Sequence, residues 1–150
     1  MIVLGSRLFG KVDHVPGHFH VATKFYHLNF IPLIPEGSWV VLEGSVKSRG
    51  LGTSWQGVKL GKLHWASVRM AWLRFGLVVL AIVAPFVALA QAPVAAAAPL
   101  SIVAAAGAVA GLVASYRLAR ARPEQAAALC RTLNLSEDAA AQVRRVASGR

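Results

Sequence analysis

The chain reads as an α+β membrane protein: a small antiparallel β-rich cytoplasmic domain, a two-helix transmembrane hairpin and short C-terminal helices. Three observations predict this class. Residues 75–116 contain no Asp, Glu, Lys or Arg, while basic residues crowd both flanks. The region before that block alternates apolar and polar side chains at strand spacing. The region after it places helix-starting and helix-ending residues around an Ala- and Arg-rich sequence. The division that follows is 1–62 for the β-rich domain, 63–119 for the hairpin, with helices at about 66–90 and 94–119, and 120–150 for the tail.

Leu8 to Val12 is a short mixed run that Val15-Pro16-Gly17 ends as a turn, since Gly reaches positive φ without steric cost. From His18 to Phe30 the chain alternates. Phe19, Val21, Thr23, Phe25 and His27 point one way, and His18, His20, Ala22, Lys24 and Tyr26 the other, as in a half-buried strand. Pro32 and Pro35 deny a ladder its donors, so Phe30–Pro35 is expected at an edge, in a bend or as an extended polyproline-like segment. Trp39–Glu43 is a further, apolar strand in which Trp39 is expected to pack in the core, Gly44–Ser54 an exposed basic loop and Trp55–Leu60 a last short strand. A β-domain of this size has a small core and marginal stability alone.

Gly10-Lys11-Val12-Asp13-His14-Val15-Pro16-Gly17, followed by Ala22-Thr23-Lys24-Phe25-Tyr26-His27-Leu28-Asn29-Phe30-Ile31-Pro32-Leu33-Ile34-Pro35, resembles a group of small uncharacterised membrane proteins. They pair such an N-terminal region with hydrophobic helices. The Phe-x-Pro-Leu-x-Pro segment is also similar to one in small zinc-ribbon proteins. There, cysteine pairs flank it; here Cys130 is the only cysteine, and a zinc ribbon is not supported. The resemblance implies a membrane protein and brings no activity with it.

A bilayer core takes about 20 apolar helical residues to cross. The first helix meets that length from Ala66, with Arg69 and Arg74 expected to snorkel to the headgroups and Trp65 and Trp72 at aromatic-belt level. Pro85 is expected to kink it. Gln91-Ala92-Pro93 makes the connection, and Tyr116 and Arg117 return the second helix to the interface. Gly107, Gly111 and Ser115 stand four apart, a spacing that lets two helix backbones approach. That face either packs on the first helix or meets another subunit, and the motif alone leaves both open. A re-entrant hairpin in one leaflet is the alternative topology.

In the tail, Pro123 fits the first turn of a helix to about Leu133. Ser136 caps a second, with Glu137 and Asp138 at its positive end and Arg144 and Arg145 at its negative end. The two pack as a helical hairpin or remain a solvated tail.

The formal net charge is +10. Nine Lys or Arg oppose three acids over residues 1–74, and seven oppose three over 117–150. Basic residues flanking apolar spans mark the cytoplasmic side, which predicts an inner bacterial membrane with both termini in the cytoplasm. This account is preferred over nucleic acid, for which the Lys47–Arg49 loop and the Arg tail would be the contacts. The N-terminal apolar run is too short for a secretory signal, so the first helix is expected to direct insertion.

His14, His18 and His20 form the one cluster with metal-ligand character, His18 and His20 sharing a strand face and His14 or Asp13 reaching across the turn. Solvated or hydrogen-bonded histidines are the competing reading. No nucleophile elbow, phosphate loop or intramembrane charge is present, so neither catalysis nor pumping is predicted and no cofactor is expected. Trp55, beside the basic loop, is the candidate subunit contact. The resulting expectation is a non-enzymatic protein of the bilayer, homo-oligomeric or serving an unknown protein partner as accessory or scaffold. A His-cluster metal protein and a membrane-tethered nucleic-acid binder are the alternatives.

Overall fold

The computed structural model describes residues 4–49, 52–90 and 97–149. Its architecture is α+β, with a four-stranded antiparallel sheet, a two-stranded ribbon and four helices among the described residues. The strands are β1 (Leu4–Val15), β2 (Phe19–Leu28), β3 (Ile31–Leu42), β4 (Lys47–Arg49), β5 (Gly52–Ser54) and β6 (Gly57–Lys59). The sheet order is β1-β2-β3-β6, and β4 pairs with β5 where the sequence predicted only a loop. The helices are α1 (Trp65–Ala90), α2 (Ala97–Arg117), α3 (Pro123–Thr132) and α4 (Glu137–Ala147). The predicted Gln91-Ala92-Pro93 connection lies outside the described residues.

The strand alternation is realised on one face of the sheet. Phe19, Val21, Thr23, Phe25 and His27 are all buried there, and the register sets Val40 and Ser38 of β3 beside Val21 and Thr23. Two departures refine the reading. His18 lies in the turn, because β2 begins only at Phe19, so His18 and His20 do not share a strand face. Trp39 pairs with Ala22 on the opposite face, half-exposed, rather than in the core. Its ring meets Trp55 edge-on, 5.7 Å between centroids.

The prolines sit where the sheet tolerates them. β6 pairs only with Trp39–Val41, which leaves the Pro32–Pro35 half of β3 as an edge. The β2–β3 register shifts beside both prolines, between Lys24 and Phe25 and between Tyr26 and His27. A proline cannot donate to the ladder, and a bulge absorbs the missing bond.

Two units divide the chain: residues 1–71 with 119–150, and residues 72–118. In the first unit, α3 and α4 pack onto the sheet. Ala126, Cys130 and Val143 join Val12, Val15, Phe19, Val21 and Val40 in one apolar cluster. The tail is therefore a wall of the core. The Ser136 cap follows expectation, its Oγ accepting from the Ala139 N–H at 3.4 Å, and at the start of α3 the Arg122 N–H donates to Gln125 Oε1 at 2.9 Å. Residues 119–121 also cover part of the outer edge of β1. The His14 N–H donates to Ala119 O at 2.8 Å, and the Ala121 N–H to His14 O at 3.0 Å.

The first turns of α1 belong to this unit as well. Ser67 Oγ donates to Gly10 O at 2.6 Å, and Val68 and Ala71 pack on Phe25 and Phe9. Gly10 is required at this contact. It occupies a β1 bulge at φ +69°, and a Cβ there would lie 1.9 Å from Ser67 O.

The second unit is a helical hairpin. α1 continues through Pro85 as one helix. Arg74 and Ala84 of α1 and Ala108 and Ser115 of α2 are buried, with Leu77, Ala81, Ala104 and Gly111 half-buried between them. These positions recur at alternating intervals of three and four, the seam expected of two helices packed at a shallow angle. Gly111 lies on that seam, 3.5 Å from Leu77 as measured from an ideal Cβ. Gly107 lies off it, with nothing within 4 Å. The four-residue spacing of Gly107, Gly111 and Ser115 thus mixes two faces. Most other large side chains of both helices are exposed, among them Ile82, Phe86, Leu100 and Val103.

Candidate functional site

Chemistry-bearing side chains gather at the end of the sheet where β1 turns into β2 and β3 finishes. Glu43, just past β3, is the centre. Its carboxylate accepts from Lys11 Nζ at 3.1 Å, from His14 Nε2 at 2.8 Å and from the Gly17 backbone N–H at 2.5 Å. Desolvation raises the Glu43 carboxyl, but those three donors outweigh it and draw it down to about 2. A carboxylate so held is a clamp between two strands and a turn, and a poor proton acceptor near neutrality.

His20 lies beside this clamp, its ring 6.3 Å from that of His14. It is 8% exposed, and burial, followed by the charges of Lys11 and His14, lowers it to about 4. It is therefore neutral at physiological pH. The His20, His27 and His64 Nδ1 atoms are buried without a hydrogen-bond partner. His27 stacks on Phe30, with centroids 5.8 Å apart and the rings nearly parallel.

A second polar line joins the sheet to the head of α1. Asp13, at φ 47° and nearly buried, pairs with His64 Nε2 at 3.2 Å. Burial raises the Asp13 carboxyl, and His64 opposes this. The His64 backbone N–H donates to Ser38 Oγ at 2.8 Å, and Ser38 shares a 2.8 Å hydroxyl–hydroxyl bond with Thr23. Nothing local announces this line, because Asp13, Thr23, Ser38 and His64 are spread over fifty residues and meet only through the sheet register.

The predicted ligands divide. His14 is engaged by Glu43, His20 is buried beside it, and His18 lies in the turn with its backbone bonded to Val15 and Glu43. Among the described residues, no group of three His, Cys, Asp or Glu side chains is arranged to hold a metal ion. A pocket of about 220 Å³ between α3 and α4 is lined in part by Cys130, Arg131, Glu137 and Arg144. Burial raises the Cys130 thiol, which makes it a weak nucleophile.

Of the predicted interfacial residues, Trp65, Arg69, Trp72, Tyr116 and Arg117 are exposed on their helices. Arg74 corrects its expectation, being turned inward rather than snorkelling. Its Nε donates to Ser115 Oγ at 3.1 Å and its Nη2 to Ser115 O at 3.0 Å, and its guanidinium lies 3.9 Å from the Tyr116 ring centroid. The cause is local: a cation beside the last turn of α2 meets carbonyls with no helical partner and the face of an aromatic ring. Trp55, the predicted subunit contact, is half-buried against Trp39.

Comparison with protein-family models, with curated proteins and with solved structures finds no match for this chain.

Proposed function

We propose that this chain is a non-enzymatic integral membrane protein that acts by self-assembly or as an accessory or scaffold subunit, with its β-rich head on the cytoplasmic side of an inner bacterial membrane. One observation carries the reading. The apolar windows of Trp65–Val87 and Pro99–Arg117 are long enough to cross a bilayer and only 17% and 11% buried within the chain. A core helix of a soluble protein would bury most of such a surface, whereas lipid accepts it without cost.

The polar groups support a structural role. Glu43, Asp13, Ser38 and Thr23 are each bonded to neighbours that hold the head together, and none is paired with a poised nucleophile. The basic flanks of the hairpin support the cytoplasmic assignment.

Alkaline carbonate extraction of membranes from expressing cells tests the first claim. Retention in the pellet is expected, and release into the supernatant would overturn it. The mass of the complex in nanodiscs tests assembly: several copies, or one copy with a stoichiometric partner, are expected, and a lone monomer at every concentration would end that part.

A further inference from the structure

The sheet is polarised along its strands. At the end carrying the β1–β2 turn stand Lys11, His14 and Glu43. At the other, where β1 begins and β2 turns into β3, no charged residue occurs among residues 4–6 or 25–35. Five large side chains are exposed there: Leu4 at 69%, Tyr26 at 53%, Phe30 at 57%, Leu33 at 44% and Ile34 at 64%. Register keeps them together, with Leu4 opposite Leu28 and Tyr26 opposite Ile34.

Charges return as a belt across three strands at one level. Arg7 lies opposite Phe25, and Lys24 is paired with Glu36 at 2.7 Å. The Arg7 guanidinium sits over the Phe30 ring, 5.3 Å from its centroid, as a cation at a headgroup boundary does. From the belt to the β2–β3 turn the strands extend about 15 Å at strand rise, close to a headgroup layer plus a shallow insertion.

The head of α1 says what this end meets. His64 is bonded at Ser38 and Asp13, Ser67 at Gly10, and Val68 and Ala71 lie on Phe25 and Phe9. The first turns of α1 therefore run along β2 toward the apolar tip, and α1 is the apolar helix whose candidate span begins at Trp65. Pro32 and Pro35 further reduce the backbone donors to be desolvated along the half of β3 that β6 leaves as an edge.

We propose that the β2–β3 tip is a membrane anchor, seated in the interfacial layer of the bilayer with Phe30, Leu33 and Ile34 below the headgroups and the Arg7–Lys24–Glu36 belt at their level. It rests on the membrane-spanning reading of α1, and the test separates the two. Single cysteines replace Ile34, Leu33, Val46 and Ile82 in a Cys130→Ala background, each full chain is spin-labelled in nanodiscs of phosphatidylcholine and phosphatidylglycerol, and accessibility to oxygen and to a nickel chelate is measured. Val46 lies beyond β3 at the charged end, and Ile82 lies in the span. An oxygen-to-chelate ratio at both Ile34→Cys and Leu33→Cys several-fold above that at Val46→Cys, with Ile82→Cys deeper still, is the expected result. Tip labels that match Val46→Cys while Ile82→Cys is deep overturn the anchor and leave the span intact. A water-exposed label at Ile82→Cys overturns both. Labelling two neighbouring tip positions keeps the test decisive if one variant fails to fold.

Discussion

At the scale of single residues, buried polar groups tie the stability of the head to pH. His20 titrates at about 4 when folded and at its ordinary 6.5 when unfolded, so between those values the unfolded chain binds more protons. Its contribution is complete above 6.5 and declines as the pH falls toward 4, by about 3 kcal/mol over the window. Glu43, held down at about 2 against an ordinary 4.5, keeps its contribution until lower pH and then loses it between those values. The groups facing His20 are Lys11, His14 and Glu43. The expected outcome is that denaturation midpoints in detergent, read from tryptophan fluorescence in a Trp65→Phe, Trp72→Phe background, fall between pH 7 and 5, and that His20→Asn flattens this fall. An unchanged slope in the variant would assign it to another group. Gly10 gives a second prediction. Both its positive φ and the nearness of Ser67 O reject a side chain, so Gly10→Ala should cost about 3 kcal/mol or more and separate the head of α1 from β1. Thermal unfolding of the purified full chain measures it, and a loss within about 0.5 kcal/mol, the scale of a neutral surface change, would show that the contact yields.

At the scale of elements, the seam between α1 and α2 decides what the small residues do. Leu77 already stands 3.5 Å from an ideal Cβ on Gly111, so Gly111→Leu overpacks the seam at a cost of about 1–3 kcal/mol. Gly107→Leu meets nothing and should leave hairpin stability unchanged or slightly raised, since Leu is the better helix former. Helical circular dichroism on heating in detergent distinguishes them, and equal losses would place both glycines in the seam. Elements were legible in the sequence to the degree that one local signal controlled them. The alternation of β2, the Pro123 and Ser136 helix starts and the charge-free block are local signals, and among the described residues each element lies within a few residues of where they pointed. The inward turn of Arg74 was not legible, because it depends on Ser115 and Tyr116 arriving from another helix. The β4–β5 ribbon was missed because its strands are three residues each and lack an apolar face. The tail's place in the core was left open because Ala126, Cys130 and Val143 are too small and sparse to announce a core alone.

At the scale of the whole molecule, the chain leaves the head and returns to it. Residues 4–15 and 119–121 are joined by backbone hydrogen bonds at His14, and Ala126, Cys130 and Val143 complete the core that Val15, Val21 and Val40 begin. Splitting that core across a bilayer would expose those side chains, the valines alone each contributing about 1.5–3 kcal/mol by burial, which exceeds what a marginal domain of this size can lose. On the proposed membrane reading, α1 and α2 must then bring the chain back to the side it left, as a pair of crossings or as a re-entrant hairpin, because residues 1–71 and 119–150 form one unit. The prediction is that reporters fused before Met1 and after Arg150 read out on the same side of the membrane, and on the cytoplasmic side if the basic flanks govern insertion. Paired fluorescent-protein and alkaline-phosphatase fusions measure it. Both ends fluorescent and phosphatase-silent is the expected pattern. Both ends phosphatase-active would retain the closed head and reverse its orientation, whereas ends on opposite sides would be incompatible with a core built from both.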